Sequence, residues 1–178
     1  AGIRLRGTDA TRINITINGI PVNDAEGQGV WWVNIPDLTS SLNSIQITRG
    51  LGGSSNGAAS FGGTVSLETD DPFNGSNKVD LAYGSFNTYR TSASANSGNI
   101  SARKDGNAPG FAIGMRVSNI HSDGYIDRGS SDLQSYMINL GYGYKNSKLR
   151  FIHFAGKEKT YQAWYGLDET LLKTNRKF

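Results

Sequence analysis

The chain has 178 residues, 23 of them glycine, with no cysteine, two histidines and a net charge of +3. Zero cysteines exclude disulfides and thiolate metal sites without fixing a compartment. Lysines and arginines are scattered rather than gathered into a basic stripe, which argues against nucleic acid as a partner. Average usage would supply roughly 12 glycines, so the excess favours strands and turns over helices.

Short elements come first. Residues 3–6, 13–17, 44–48 and 64–67 read as strands, and apolar side chains alternate with polar ones at Ile45, Ile47 and then Val65, Leu67. Between the second and third lies a helix candidate, with Asn34 in the cap region, Pro36 in the first turn and Leu38 and Leu42 as an i, i+4 apolar pair. The loop from Arg49-Gly50 to Gly62-Gly63 is built almost wholly of glycine, serine and alanine. It fits neither phosphate-binding glycine spacing and contains no lysine. Phe61 and the regular strands on either side argue against a flexible tether, so the loop is read as closely packed backbone.

A cluster of turn residues, Asp70-Asp71-Pro72-Phe73-Asn74-Gly75-Ser76-Asn77, marks a linker. The expected organisation is therefore a small α+β domain over 1–69, a linker over 70–77 and a second domain over 78–178. In that second part the alternating segments are longer. Val79, Leu81 and Tyr83 share a face, and Tyr89, Thr91, Ala93 and Ala95 lie opposite Arg90, Ser92, Ser94 and Asn96. Phe111, Ile113, Met115 and Val117 alternate with Ala112, Gly114, Arg116 and Ser118, and residues 136–144 repeat the pattern. A further strand starts at Lys148, where Leu149/Phe151 and Ile152/Phe154 fall out of phase and leave its orientation open.

Asn146-Ser147 reads as a tight turn and residues 121–133 as a longer polar loop. Short turns on one side, long loops on the other and tyrosines near strand ends (Tyr89, Tyr142, Tyr144) are features of outer-membrane barrels. No apolar run approaches the roughly 18–20 residues of a membrane helix, but membrane strands average out mildly hydrophilic and need no such run. A soluble antiparallel sandwich alternates equally well, so alternation alone leaves both open.

The order of motifs in the first part resembles the plug domain of TonB-dependent outer-membrane receptors. Leu5-Arg6-Gly7, Asn18-Gly19-Ile20-Pro21, the strand ending in Arg49-Gly50, Asn56-Gly57 and Gly62-Gly63-Thr64-Val65-Ser66 stand where that family has its Ile-Arg-Gly segment, Asp-Gly-x-Pro turn, Arg-Gly strand, Tyr-Gly turn and Gly-Gly-x-Ile-Asn strand. Asn18, Gln46 and Asn56 depart from the usual aspartate, glutamate and tyrosine. The resemblance covers residues 1 to about 69, and Tyr83-Gly84-Ser85-Phe86-Asn87 with the alternating remainder looks like the first strands of the barrel.

The resemblance implies a mainly β chain: a plug followed by about five of the roughly 22 strands of a transmembrane barrel. Starting at Ala1 without methionine or signal peptide, the chain reads as a fragment, with a signal peptide, a coupling box and the first plug strands expected upstream and the rest of the barrel downstream. It further implies a receptor for active import, without enzymatic activity or a resident cofactor, in the bacterial outer membrane. Implied partners are the TonB energy-coupling protein, acting through the upstream segment, an extracellular ligand such as a ferric siderophore, and outer-membrane lipid.

Arg6 and Arg49 correspond to two plug arginines that lock onto barrel glutamates, which here would lie beyond residue 178; bidentate, permanently charged guanidinium suits that role. Residues 20–34 correspond to an apex facing the outside. There Trp31 and Trp32 offer stacking surface, with one expected inward and one outward, and Asn23, Gln28 and Asn34 offer hydrogen bonds. Lys157, Tyr161 and Trp164 are candidates in an external loop after the last strand. An adhesive or carbohydrate-binding surface protein and a soluble binding module are the other functions that these strands allow.

Overall fold

The computed structural model describes residues 3–50, 61–101, 109–161, 166–175 and 177. The chain divides into two compact units, Ala1–Val33 with Leu38–Asp71, and Asn34–Asp37 with Pro72–Phe178.

The first unit is built on a mixed sheet with strand order β2-β1-β4-β3. β1 (Ile13–Ile17) is buried along its whole length, because it pairs antiparallel with β2 (Ile20–Pro21) on one side and parallel with β4 (Gly63–Thr69) on the other. Ile13, Ile15, Ile17, Leu38, Val65 and Leu67 form its core. β3 (Leu42–Arg49) pairs antiparallel with β4 and forms the other edge. Asn18-Gly19 is the two-residue turn between β1 and β2, both residues having positive φ (49° and 79°), the requirement of the turn that matches strand twist.

Two expectations for this unit are corrected. Residues 3–6 are not a strand: only an isolated bridge joins Leu5 to Thr8, because Arg6 (φ 50°) and Gly7 (φ 76°) turn the chain there. The helix expected over 36–42 is replaced by 3-10 turns at Trp32–Asn34 and Leu38–Ser41, and Leu42 already belongs to β3. Asp37, at φ 51°, breaks the helical run just after Pro36.

The glycine pair at the start of β4 is packed closely, as its composition suggested. A Cβ on Gly62 would lie 2.9 Å from the Arg12 carbonyl oxygen, and one on Gly63 would lie 2.7 Å from that of Thr48. Residues 51–60 of that loop, Asn56-Gly57 among them, lie outside the described residues.

The second unit is an antiparallel sheet of six strands: β5 (Asn77–Gly84), β6 (Thr88–Asn96), β7 (Ile100–Ser101), β8 (Gly110–Ser122), β9 (Ser131–Tyr144) and β10 (Ser147–Thr160). The path runs β10-β9-β8-β6-β5, with β7 paired to β8, and does not close on itself. A short helix, α1 (Glu169–Thr174), follows, capped by the Asp168 carboxylate. Cross-strand pairing carries β8 and β9 well into the segment expected to be a loop, so their connection is limited to residues 123–130. The tight turn between β5 and β6, with Phe86 and Asn87 at positive φ, sits at the same end, since Gly84 pairs Thr88 and Tyr89 pairs His121. Connection lengths therefore do not sort cleanly by side.

Burial along β8 is the decisive feature. Ala112, Gly114, Arg116 and Ser118 are buried, whereas Phe111, Ile113, Met115 and Val117 remain about half exposed. β9 repeats this, with Ser135, Met137, Asn139 and Gly141 buried and Tyr136, Leu140 and Tyr142 outward. The phase of β10 is settled by register: Leu149 pairs Tyr142, Phe151 pairs Leu140 and His153 pairs Ile138, placing Leu149 and Phe151 on the apolar outward face. Along β8 the sheet is thus apolar outside and small or polar inside, the reverse of a water-soluble sandwich, while Met137, Ile152 and Phe154 add apolar surface to the inward face of β9 and β10.

The outward apolar face has limits in both directions. Tyr142 and Tyr144 mark one end; beyond the row Val79, Ala93, Val117, Tyr136, Ala155 comes a row that is apolar only at Leu81 on β5 and polar at Thr91, Asn119, Gln134 and Lys157, and then Tyr83, Tyr89 and His121. From Tyr144 to Gln134 is about ten steps of ~3.4 Å, roughly 26 Å after a strand tilt of ~40°, which matches the ~25 Å apolar band of a membrane barrel. Among the described residues no helix is long and apolar enough to cross a membrane.

Candidate functional site

In the first unit, residues 22–29 form a compact loop held by its own polar groups. The Asp24 carboxylate accepts the Glu26 N–H (3.0 Å), and the Gln28 N–H donates to the Asp24 carbonyl (2.9 Å). Asn23 acts as its staple: its oxygen accepts the Ile15 N–H at 2.7 Å, and its amide donates to the Ile13 and Gln28 carbonyls at 2.9 and 2.8 Å. Gln28, at φ 53°, donates to the Ala25 carbonyl. The amides of Asn23 and Gln28 are thus engaged inside the loop instead of standing free for a ligand. Trp31 is 68% exposed and Trp32 half-buried, so of the pair it is Trp31 that presents a ring outward. Arg6 and Arg49 are both exposed, Arg6 in a turn and Arg49 at the end of β3 opposite Gly63.

The second unit contains a site that the sequence reading did not single out. Asn34–Asp37 lies with this unit, although the residues on either side in sequence belong to the first. Pro36 sits on Gly156, where a Cβ would approach the Pro36 Cδ to 2.6 Å and the Gln134 carbonyl oxygen to 3.1 Å. Beside it the Asp37 carboxylate meets two arginines, Arg116 Nη1 at 3.5 Å and Arg90 Nη2 at 3.7 Å. Asp37 and Arg116 side chains are each only 5% exposed.

Strand register explains the geometry. Ser92, Ser118, Ser135 and Gly156 are successive partners across β6, β8, β9 and β10, so they form one row on the inward face. Arg90 and Arg116 flank that row, two residues away on β6 and β8 in opposite directions. Arg116 Nη1 donates to the Ser118 hydroxyl at 2.8 Å, and the Ser118 and Ser135 hydroxyls are 3.0 Å apart. The row is a trough of hydroxyls and one glycine, walled by guanidinium groups and occupied by Pro36-Asp37.

A second segment is fastened to the same face differently. Pro72–Asn74 forms a 3-10 turn in which Phe73 packs on Gly141, whose Cβ would come within 2.9 Å of Phe73 Cζ, while the Lys148 ammonium lies 4.6 Å from the ring centroid. Pro72 meets Gly114, 3.3 Å from the position of its Cβ. Inward glycines thus create the seats that the two segments fill.

Lys157 is not in a loop. It pairs with Gln134 within β10, which runs to Thr160, because the alternation and pairing continue past the expected strand end. Tyr161 is 58% exposed and its N–H donates to the Ser130 carbonyl at 2.8 Å, whereas Trp164 lies outside the described residues. Among the described residues, no group of three or more His, Asp or Glu side chains is placed to hold a metal. What the sequence missed was the Asp37 cluster; the available signals were Arg90 and Arg116, each alternating with small residues on its strand.

Fold and site together define a class: a small mixed-sheet domain followed by antiparallel strands whose apolar side faces outward. Residues 1–64 match the family model for the TonB-dependent Receptor Plug Domain. The match covers 64 of the 178 residues, and over that stretch the chain is similar to the plug of TonB-dependent receptors.

Solved structures agree in fold. The pyoverdine outer membrane receptor FpvA from Pseudomonas aeruginosa PAO1, bound to pyoverdine, superposes with a TM-score of 0.63 at 19% identity, covering 82% of this chain and 20% of that one. P. aeruginosa FpvA with a heterologous pyoverdine gives 0.59 at 17% identity over 82% and 19%. The FpvAI–pyocin S2 complex gives 0.59 at 18% over 82% and 18%. The chain spans about a fifth of the length of these receptors. No curated protein matches it.

Proposed function

We propose that this chain is the plug and leading barrel strands of a bacterial outer-membrane receptor that imports a bulky, scarce ligand, most simply a ferric siderophore, with energy delivered by TonB through a segment upstream. One observation carries the reading: a plug-like domain is followed by a sheet whose outward face is apolar along β8 and β9, an arrangement that suits lipid around a filled lumen better than a soluble binding module. The siderophore class draws its support from the likeness to a pyoverdine receptor.

Within this reading Trp31 stacks on ligand at the apex, with Trp32 and Asn34 beside it and the loop of Asn23 and Gln28 holding it in place. Arg6 and Arg49 lock onto glutamates of the wall. Lys157, Tyr161 and Trp164 serve as further ligand contacts on the external side. The domain boundaries proposed are 1–69, 70–77 and 78–178.

The test is uptake of a panel of 55Fe-labelled siderophores, ferric pyoverdines included, by cells expressing the complete receptor, with and without an uncoupler. Energy-dependent accumulation of at least one complex, reduced in Trp31→Ala, is the expected result. Binding without energy-dependent uptake would instead indicate an adhesive or ligand-capturing surface protein.

A further inference from the structure

The Asp37 cluster has one carboxylate for two guanidinium groups, and the floor beneath it is made of hydroxyls. Such a floor loses little when its occupant leaves, since the Ser118 hydroxyl already bonds Arg116 and Ser135 and water can solvate the row, whereas the Phe73 seat would expose an aromatic ring and bare glycine backbone. Asp37 also holds a left-handed φ of 51°, which a non-glycine residue adopts only when its surroundings stabilise it. Arg116 and Arg90 lie 3.5 and 3.7 Å from its carboxylate. A carboxylate between forked guanidinium donors is the arrangement by which proteins bind acidic ligands.

From these observations we propose that Asn34–Asp37 is a releasable strap, and that the Ser92–Ser118–Ser135–Gly156 trough beneath it is a latent binding track for an anionic, hydrogen-bonding ligand, with Asp37 the internal stand-in for that ligand's acidic group. Pro72-Phe73 is the fixed attachment. The inference extends the import reading by giving the ligand an acidic character and a path along the inward face. The occupied trough is its closed state.

Two measurements on the complete receptor separate the strap from the import reading. The first is hydrogen exchange at the amides of Asn34, Ile35 and Asp37, with citrate as the anionic probe. Citrate should speed exchange in the wild type by competing for the arginines, Asp37→Asn should speed it without citrate, and Arg90→Gln or Arg116→Gln should abolish the citrate effect. Arg90 is the more exposed of the two, so its variant serves if Arg116→Gln does not fold. Exchange at these amides unchanged by both citrate and Asp37→Asn would overturn the proposal.

The second is a disulfide across the seat in Pro36→Cys/Gly156→Cys, in a stretch that has no other cysteine. Uptake should be lost when this pair is oxidised and return on reduction, while ligand binding at the cell surface persists. Undiminished uptake in the oxidised variant would overturn the strap. Absence of uptake in the wild type would instead contradict the import reading and leave the exchange experiment to decide on the strap.

Discussion

Asn18 shows how much one residue of the plug carries. Its left-handed conformation makes the turn between β1 and β2, while its side chain donates to the Thr69 hydroxyl (3.0 Å) and accepts the Thr69 N–H (2.9 Å), fixing the far end of β4. The amide does both jobs, whereas the aspartate usual in the plug family that residues 1–64 match, when ionised, could only accept. Asn18→Ala should cost about 1–3 kcal/mol for the hydrogen bonds with buried Thr69 and a further ~1–2 kcal/mol for the backbone. Asn18→Gly should lose only the first part, and denaturant midpoints of the two variants measure the difference. Asp9 makes a pH prediction. Its carboxylate accepts the Thr11 N–H and hydroxyl at 3.0 and 2.8 Å, and these bonds hold it below the ordinary carboxylate range. A depressed folded-state pKa means that the stabilisation is present above the unfolded value of 3.8 and fades as the pH falls through the folded one. Asp9→Asn should therefore flatten the acid limb by lowering stability at neutral pH, with stability at low pH little changed.

At the scale of elements, strands were legible because both faces announced themselves. Residues 13–17 were read as a strand and are β1, and in β8 and β9 four or more alternating positions leave no second phase. Failures fell where local signals met tertiary demands. The proline, the spaced leucines and a plausible cap suggested a helix over 36–42, but Asp37 is drawn into a left-handed conformation beside Arg90 and Arg116, partners more than 50 positions away in sequence. The same distance hid the trough, since nothing local to Ser92 or Gly156 predicts that register will align them. Inward glycines were counted in the sequence, yet their purpose as seats for Pro36, Pro72 and Phe73 emerges only across strands. Gly141→Leu should push Phe73 out of its seat and destabilise by about 1–3 kcal/mol through overpacking. Gly84→Leu, at a site with open space around the Cβ, should not show that loss. Thermal unfolding of the two variants in detergent compares them.

For the molecule as a whole, composition excluded more than it specified, and alternation left a soluble sandwich and a membrane barrel tied. The motif order of residues 1–69 broke the tie, and the family match over residues 1–64 agrees. The sheet supplies the independent physical argument, because along β8 the larger apolar side chains sit outside and the small and polar ones inside. That inversion is the central claim, and a single cysteine scan along β8, residues 111–118, in the complete receptor in outer membranes tests it most directly. Cysteines at 111, 113, 115 and 117 should resist water-soluble thiol reagents, and spin labels attached there should be broadened by lipid-dissolved oxygen. Labels at 112, 114, 116 and 118 should escape that broadening. Rapid aqueous labelling at the odd-numbered positions, with no difference in lipid contact between the two sets, would contradict a membrane-facing sheet.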